Sequence, residues 1–303
     1  MRIQDVVIHT NEGLFLGSRS PVESIPLLPP RFDLAADLWI GRLDDGIAEM
    51  VLDSCDPPGY GLNKPVRQFG QLYAYVREPA PPQPAEKWDS DSRLQTCVAL
   101  SRLVHPTLIS FRYAARILYD SDATVWQIIP GPVTGHRADA WVATEGHRDW
   151  LTPRELDELK ELVTHMPLSH LPPRVWRAFW YHEFASRTRY VDVKWTLIST
   201  ALEALVHTDR SRSTAQFTVR VPGLAAELKG CDFSKADAET AYEVRSQLSH
   251  GQGLENLEDN ARRVYQRMEI VLRGVLVRAI QDAEFAQVFA LEEEIRSRWP
   301  LPS

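Results

Sequence analysis

The sequence predicts an α+β chain in two parts, a β-rich domain over residues 1–150 and an all-α domain over residues 151–303. Short apolar runs separated by proline and glycine fill the first part, a pattern that is typical of strands. Longer segments with apolar residues at helical spacing fill the second part. A total of 303 residues also fits two domains, since domains commonly hold roughly 100–200 residues.

Seven runs in the first part predict strands, because each is apolar or β-branched and is bounded by turn-forming residues. They are residues 6–9, 14–16, 38–40, 48–52, 71–76, 107–113 and 124–129. The proline-rich segment 78–84 excludes a helix or a central strand, since proline has no amide hydrogen to donate. The order of these runs matches no fold that we recognise.

The second part begins with the sequence Thr152-Pro-Arg-Glu155, which predicts a capping box and a helix that starts at Pro153. Apolar periodicity predicts further helices, followed by a final segment that continues or follows the long one. Their approximate ranges are 173–187, 191–207, 214–229, 235–249, 257–283 and 284–298. Pro222 is expected to kink or divide the helix that contains it.

Composition limits the classes of function. The 34 basic and 41 acidic residues give a net charge of −7, which argues against a protein that coats nucleic acid. Residues 1–150 carry 14 − 19 = −5 and residues 151–303 carry 20 − 22 = −2. Three cysteines without a CxxC pair predict neither a disulfide framework nor structural zinc. Without an apolar membrane segment or a signal-peptide core, we expect a cytoplasmic chain with no membrane partner.

The most informative segment is 241–251, in which Arg245 and His250 stand near the glycine-marked end of a predicted helix. In a continuous helix, five positions turn by about 500° and leave the two side chains ~140° apart. The pair can therefore act together only if the helix ends near Ser249. Arginine suits a phosphodiester and histidine suits proton transfer, so the pair fits metal-free RNA cleavage. The same spacing also arises by chance, with a salt-bridged arginine and a capping histidine.

Two other segments stand beside this pair, the apolar helix 195–206 with its ALEALV end and the segment 217–225 around Arg220. Together the three blocks resemble the Apea-like branch of the HEPN superfamily, over about residues 173–277. The resemblance implies a helical bundle that dimerises so that two R-x4–6-H motifs face one cleft. Family members are often metal-independent endoribonucleases in toxin–antitoxin, phage-defence and RNA-processing systems.

Carried over to this chain, the resemblance implies that His250 is the acid or base and that Arg245 is the phosphate-stabilising cation. Ser246 stands where many members have Asn, Asp or His. A serine can donate one hydrogen bond there but cannot act as a proton carrier. Arg220 is carried over as a supporting residue. Glu203 is a candidate partner for Arg245 or Arg220, or else a surface or capping glutamate. Tyr242, one helical turn before Arg245, is a weaker candidate for covalent modification.

The leading hypothesis is a metal-independent endoribonuclease that needs no cofactor and acts on RNA. It would form a homodimer through its helical domain. Its role would be in phage defence, as a toxin or in a stress response. The first domain would sense a trigger, select the RNA or restrain the nuclease, and a regulatory or antitoxin protein would be a further partner. The alternative is a non-catalytic HEPN module for RNA or nucleotide binding or for dimerisation, whose first domain binds a partner. Ser246 favours this alternative.

Other clusters are set aside on their spacing. His165, His170 and His182 with Glu183 do not place two metal ligands on one helix face, unlike an HExxH helix. The aromatic residues of 176–184 are better explained by core packing and a dimer seam than by base stacking.

Overall fold

The computed structural model describes residues 2–8, 30–55, 73–78, 90–106, 114–130, 151–188, 190–209, 211–250 and 259–302. These residues are mostly helical, with an antiparallel sheet towards the N-terminus, so the α+β class is confirmed. They form two compact units, one ending at Thr164 and the other beginning at His165.

Within the described residues, six strands make one antiparallel sheet in the order β2-β3-β4-β1-β5-β6. The first strand of the chain lies inside this sheet, where Val6 is opposite Val76 of β4 and Ala115 of β5. The strands are β1 Arg2–Ile8, β2 Arg31–Asp33, β3 Leu38–Arg42, β4 Tyr73–Arg77, β5 Ala114–Tyr119 and β6 Val125–Pro130.

Helices α1 (Asp45–Cys55) and α2 (Ser90–Val104) cover the two faces of the sheet. Side chains along a strand alternate between faces. Ala74 and Val76 of β4 accordingly pack with the α1 side. Tyr75 lies between them in sequence and points to the α2 side, near Ser101.

Helix α3 (Pro153–Thr164) belongs to the first unit, whereas the sequence predicts a domain boundary at residue 150. The predicted capping box is confirmed, because the Thr152 amide donates to Glu155 at 2.7 Å and the Glu155 amide donates to Thr152 Oγ1 at 3.3 Å. The apolar face of α3 is buried, and α3 packs against α2. That contact places α3 with the sheet.

The strand prediction for residues 48–52 is wrong, because this segment lies in α1. The Asp44 side chain accepts hydrogen bonds from the amides of Gly46 and Ile47 at 3.0 and 3.2 Å and so caps the helix. Ala48, Val51 and Leu52, at helical spacing, are buried against the sheet. Helix α2 and strand β5 were not predicted, and residues 14–16 and 107–113 lie outside the described residues.

The second unit contains the predicted helices, with ends that agree within a few residues. They are α4 Pro173–Arg187, α5 Val191–Val206, α6 Ser213–Ala226, α7 Lys235–Ser249, α8 Asp259–Gln281, α9 Ala283–Gln287 and α10 Glu292–Arg298. Helix α5 packs against α4, α6, α7 and α8, and its Trp195 donates from Nε1 to the carbonyl oxygen of Ala241 at 3.2 Å. Helix α6 continues through Pro222 and is not divided there.

The final segment forms two short helices rather than an extension of α8. Asp282 interrupts the helical chain and caps α9, since its side chain accepts from the Phe285 amide at 3.0 Å. Trp299 follows α10 and is buried. Of the helices in the described part of the chain, none combines the length and the apolar content that crossing a bilayer requires.

Candidate functional site

Helix α7 carries the arginine of the sequence motif, and its start is firmly capped. The Ser234 hydroxyl accepts from the Asp237 amide at 3.1 Å, and the Asp237 carboxylate accepts from the Ser234 amide at 2.8 Å. Arg267 of α8 donates to the same carboxylate at 2.9 Å. These contacts fix where α7 begins and anchor it to α8.

Helix α7 ends at Ser249, as the motif spacing requires. His250 is the C-cap, with φ −96° and ψ 12°, and its backbone amide donates to the carbonyl oxygens of Ser246 and Gln247. The His250 side chain is exposed. The histidine therefore stands just beyond the helix, and among the described residues no hydrogen bond or ion pair joins its side chain to Arg245.

Arg245 forms an ion pair with Glu203 of α5, with Nη2 and Oε2 only 2.6 Å apart. The Arg245 side chain keeps 27% of its surface exposed, and its guanidinium lies 5.7 Å from the centre of the Tyr242 ring. Of the two partners that the sequence left open for Glu203, the structure brings Arg245 to it. The ion pair orients the arginine and leaves part of it open to solvent.

Glu203 is buried, although a carboxylate is costly to remove from water. Burial raises the pKa of this carboxyl, and the nearby Arg245 charge opposes that rise. Glu203 Oε1 has no hydrogen-bond donor among the described residues. The side chain is thus a buried group that serves Arg245, and it is not a surface glutamate.

Arg220, carried over as a supporting residue, lies apart from this ion pair in a buried network. Its Nη1 donates to the Val206 carbonyl oxygen, the Thr208 hydroxyl and Gln216 Oε1 at 2.7, 3.1 and 2.8 Å. Its Nε donates to the Trp299 carbonyl oxygen at 3.0 Å. These contacts join the end of α5 to the turn after α10, so Arg220 acts as a structural link.

Tyr242 and Ser246 flank Arg245 on α7, and both are half-buried. The Tyr242 ring packs against Phe217 of α6 at 5.7 Å between centres, and its other neighbour is the Arg245 guanidinium. The Ser246 carbonyl oxygen accepts from the His250 amide at 3.2 Å. Tyr242 therefore supports Arg245 by packing.

The structure adds His207, which is not among the site residues that the sequence predicts. It is the C-cap of α5, four residues after Glu203, and its Nε2 lies 4.0 Å from Glu203 Oε1. Burial lowers the pKa of this imidazole, as do the charges of Arg245, Arg220 and Arg174, while a hydrogen bond to the Ser213 carbonyl raises it. The i,i+4 spacing from Glu203 was the available signal, since such residues are neighbours on a helix.

A second charged cluster is buried between α4 and α8, away from the motif. His182 Nε2 and Arg273 Nε lie 3.3 and 2.8 Å from the same oxygen of Glu269. Burial raises the pKa of Glu269, but Arg273 and His182 outweigh it and leave the pKa below its usual value. Among the described residues no group of three acidic, histidine or cysteine side chains is arranged to hold a metal ion.

The motif region thus combines a partly exposed guanidinium, a buried carboxylate that holds it, and the His207 imidazole beside that carboxylate, while His250 is exposed at the end of α7. The ion pair can orient a cation towards an anion, and imidazoles are the usual groups for proton transfer. Comparison of the chain with protein-family models, with curated proteins and with solved structures finds no match.

Proposed function

We propose that the helical unit is a HEPN-type, metal-independent endoribonuclease that acts as a homodimer. The observation that carries this proposal is the end of α7 at Ser249, which leaves His250 exposed while Glu203 holds Arg245 one turn earlier. The three sequence blocks that resemble the Apea-like branch support the same function. The RNA would be the substrate.

In this mechanism an imidazole accepts the proton of a ribose 2′-hydroxyl, and the oxygen attacks the adjacent phosphorus. The O2′–P bond forms as the P–O5′ bond breaks, and a second imidazole gives a proton to the departing 5′-oxygen. His250 of each copy would supply one of these roles. Arg245 would bind the phosphate and stabilise the additional charge of the transition state.

The ion pair with Glu203 is compatible with this role for Arg245. A guanidinium has five N–H donors in a planar fork, so a carboxylate at Nη2 fixes its plane and leaves other donors for a phosphate. The partial exposure of the side chain gives a phosphate access to it. Because Glu203 is buried, its negative charge lies behind the arginine and not on the solvent side.

The direct test incubates the full chain with mixed-sequence RNA in the presence of EDTA and identifies the product ends. We expect 2′,3′-cyclic phosphate and 5′-hydroxyl ends, with a loss of about 10²-fold or more in Arg245→Gln and His250→Gln. Arg263→Gln and His170→Gln are the matched controls, because both residues are exposed and lie outside the motif. Equal cleavage by all five proteins would refute the proposal.

Dimerisation is tested separately by mixing the wild type with an excess of the His250→Gln protein. If two motifs build one cleft, the mixture should lose more activity than dilution explains, because a heterodimer retains only one of the two imidazoles that the mechanism uses. Sedimentation of the wild type should give the mass of a dimer. A monomer that cleaves RNA at full rate would contradict the shared cleft.

A non-catalytic module for RNA or nucleotide binding or for dimerisation is the second candidate, and one contact favours it. The 2.6 Å pair with Glu203 neutralises much of the Arg245 charge, and Ser246 supplies no proton carrier beside it. This candidate predicts RNA binding that Arg245→Gln weakens, without cleavage by any variant. The first unit would then bind a partner protein.

A role in phage defence, as a toxin or in stress belongs to the same proposal, with the first unit as sensor, RNA selector or restraint. Expression of the wild type should arrest growth of a bacterial host, and His250→Gln should relieve the arrest while His170→Gln does not. A regulatory or antitoxin protein would be recognised by its ability to suppress that arrest.

A further inference from the structure

His207 has a fixed place beside the Arg245 site. Its backbone amide donates to the Glu203 carbonyl oxygen at 2.9 Å, and its carbonyl oxygen accepts from Arg174 of α4. The imidazole Nε2 lies 3.2 Å from the carbonyl oxygen of Ser213. Because a carbonyl oxygen can only accept, Nε2 carries the hydrogen, and Nδ1 keeps its lone pair in the neutral ring.

The Glu203 carboxylate lies between two nitrogen groups. Its Oε2 is 2.6 Å from Arg245 Nη2, and its Oε1 is 4.0 Å from His207 Nε2. The described residues supply no hydrogen-bond donor to Oε1, which is buried. An unpaired buried carboxylate oxygen is energetically unfavourable and attracts any positive charge that forms beside it.

Three arginines and one glutamate, on four helices, face His207, and a second glutamate pairs with one of these arginines. Arg174 of α4, Arg220 of α6 and Arg245 of α7 disfavour a charged imidazole, as burial does. Glu203 of α5 is the acidic neighbour, while Glu292 of α10 pairs with Arg174 at 2.9 Å. Burial and the three arginines therefore favour the neutral imidazole, and the partner of Glu203 is Arg245.

We propose that His207 is a positioning residue for Arg245 that acts through their shared neighbour, the Glu203 carboxylate. The inference rests on the proposed function for its effect on RNA cleavage. When the imidazole gains a proton it becomes a second cation facing Glu203 Oε1. The carboxylate then divides its attraction between two cations and holds the guanidinium less firmly. Protonation of His207 thus loosens Arg245.

The first test observes the coupling without RNA, by NMR of the full chain with labelled histidine and arginine. The Arg245 Nε–H is buried, so its signal reports the state of the guanidinium. We expect this signal to change with the midpoint of the His207 titration. In His207→Gln, whose amide can still donate to Ser213, the Arg245 signal should stay constant over the same pH range. In the control His170→Gln, the Arg245 signal should change as it does in the wild type.

Two substitutions fix the sign of the coupling. Glu203→Gln keeps the shape but removes the negative charge 4.0 Å from His207 Nε2, so the His207 pKa should fall. Arg245→Gln removes a like charge, so the His207 pKa should rise. An Arg245 signal that ignores the His207 titration, or a His207 pKa that is the same in both variants, would overturn the inference.

The second test measures the rate of RNA cleavage against pH. The wild type should lose activity towards acid with an inflection at the His207 pKa measured by NMR, and His207→Gln should lack that inflection. The same profile for both proteins would overturn the inference. If NMR shows the coupling but no protein cleaves RNA, the nuclease proposal fails, while the positioning of Arg245 by His207 stands.

Discussion

Replacing the buried Arg220 by methionine should destabilise the helical unit by about 4 kcal/mol. Methionine keeps the unbranched stem that packs between α5, α6 and the C-terminal turn but removes every donor. The arginine is 3% exposed and makes four hydrogen bonds. The loss is therefore one of buried polar contacts and not of surface charge.

The magnitude follows from which acceptors lose their donor. Thr208 Oγ1 still accepts from Arg296 at 3.1 Å, and Gln216 Oε1 still accepts from the Thr208 amide at 2.8 Å. The carbonyl oxygens of Val206 and Trp299 have no second donor among the described residues. Each orphaned buried carbonyl costs about 1–3 kcal/mol, so two give about 4 kcal/mol. That is a large part of the 5–15 kcal/mol typical of a domain.

Hydrogen exchange of the intact chain, read by mass spectrometry, is the suitable assay, because the two compact units need not unfold together. Peptides from α6 and from α10 through Trp299 should lose protection in Arg220→Met. The exposed Arg263→Met is the matched control and should stay within about 0.5 kcal/mol of the wild type. A loss below about 1 kcal/mol in Arg220→Met would refute the structural role of Arg220.

Three further predictions concern other contacts. Thr152→Ala should lower the stability of the first unit by about 1 kcal/mol in denaturant unfolding, since it removes the cap of α3, whereas Thr164→Ala at the far end of that helix should not. Gly223→Ala should cost about 1–3 kcal/mol and shift tryptophan fluorescence, because the added Cβ would stand 2.9 Å from Trp299 Cδ1. Burial alone would raise the pKa of Asp237, but hydrogen bonds from Ser234 and Arg267 outweigh it and lower the pKa. The ionised carboxylate therefore stabilises the fold above its unfolded pKa of about 3.9, and this stabilisation is lost as the pH falls through the lower folded pKa. The wild type should melt well above Asp237→Asn at pH 7. This difference in melting temperature should narrow below about pH 4.

Local sequence signals predicted most of the second unit because its helices carry strong start and stop residues. Pro173 begins α4, Ser234 caps α7, and both helices end where the pattern placed them. The first unit was harder to predict. Residues 48–52 fit a buried strand as well as a helix, because so short an apolar run is compatible with both periodicities. The residue that decides for the helix is the cap, Asp44, which lies outside that run.

The candidate site was predictable only where it followed one helix. Arg245, Tyr242 and Ser246 share α7, and the helix break before His250 could be inferred from glycine. Which glutamate contacts which arginine depends on how α5 and α7 are positioned against each other. A single sequence does not specify that relative position. His207 was missed for the same reason, because its importance arises from arginines on three other helices.

The interior position of β1 also has a consequence for the order of folding during synthesis. The strand emerges first, yet its two neighbours come much later, and Gln4 receives a hydrogen bond from Tyr119 across 115 positions of sequence. Contacts of such separation form slowly. Until then β1 presents two unpaired edges on the nascent chain, a state that favours pairing with another chain.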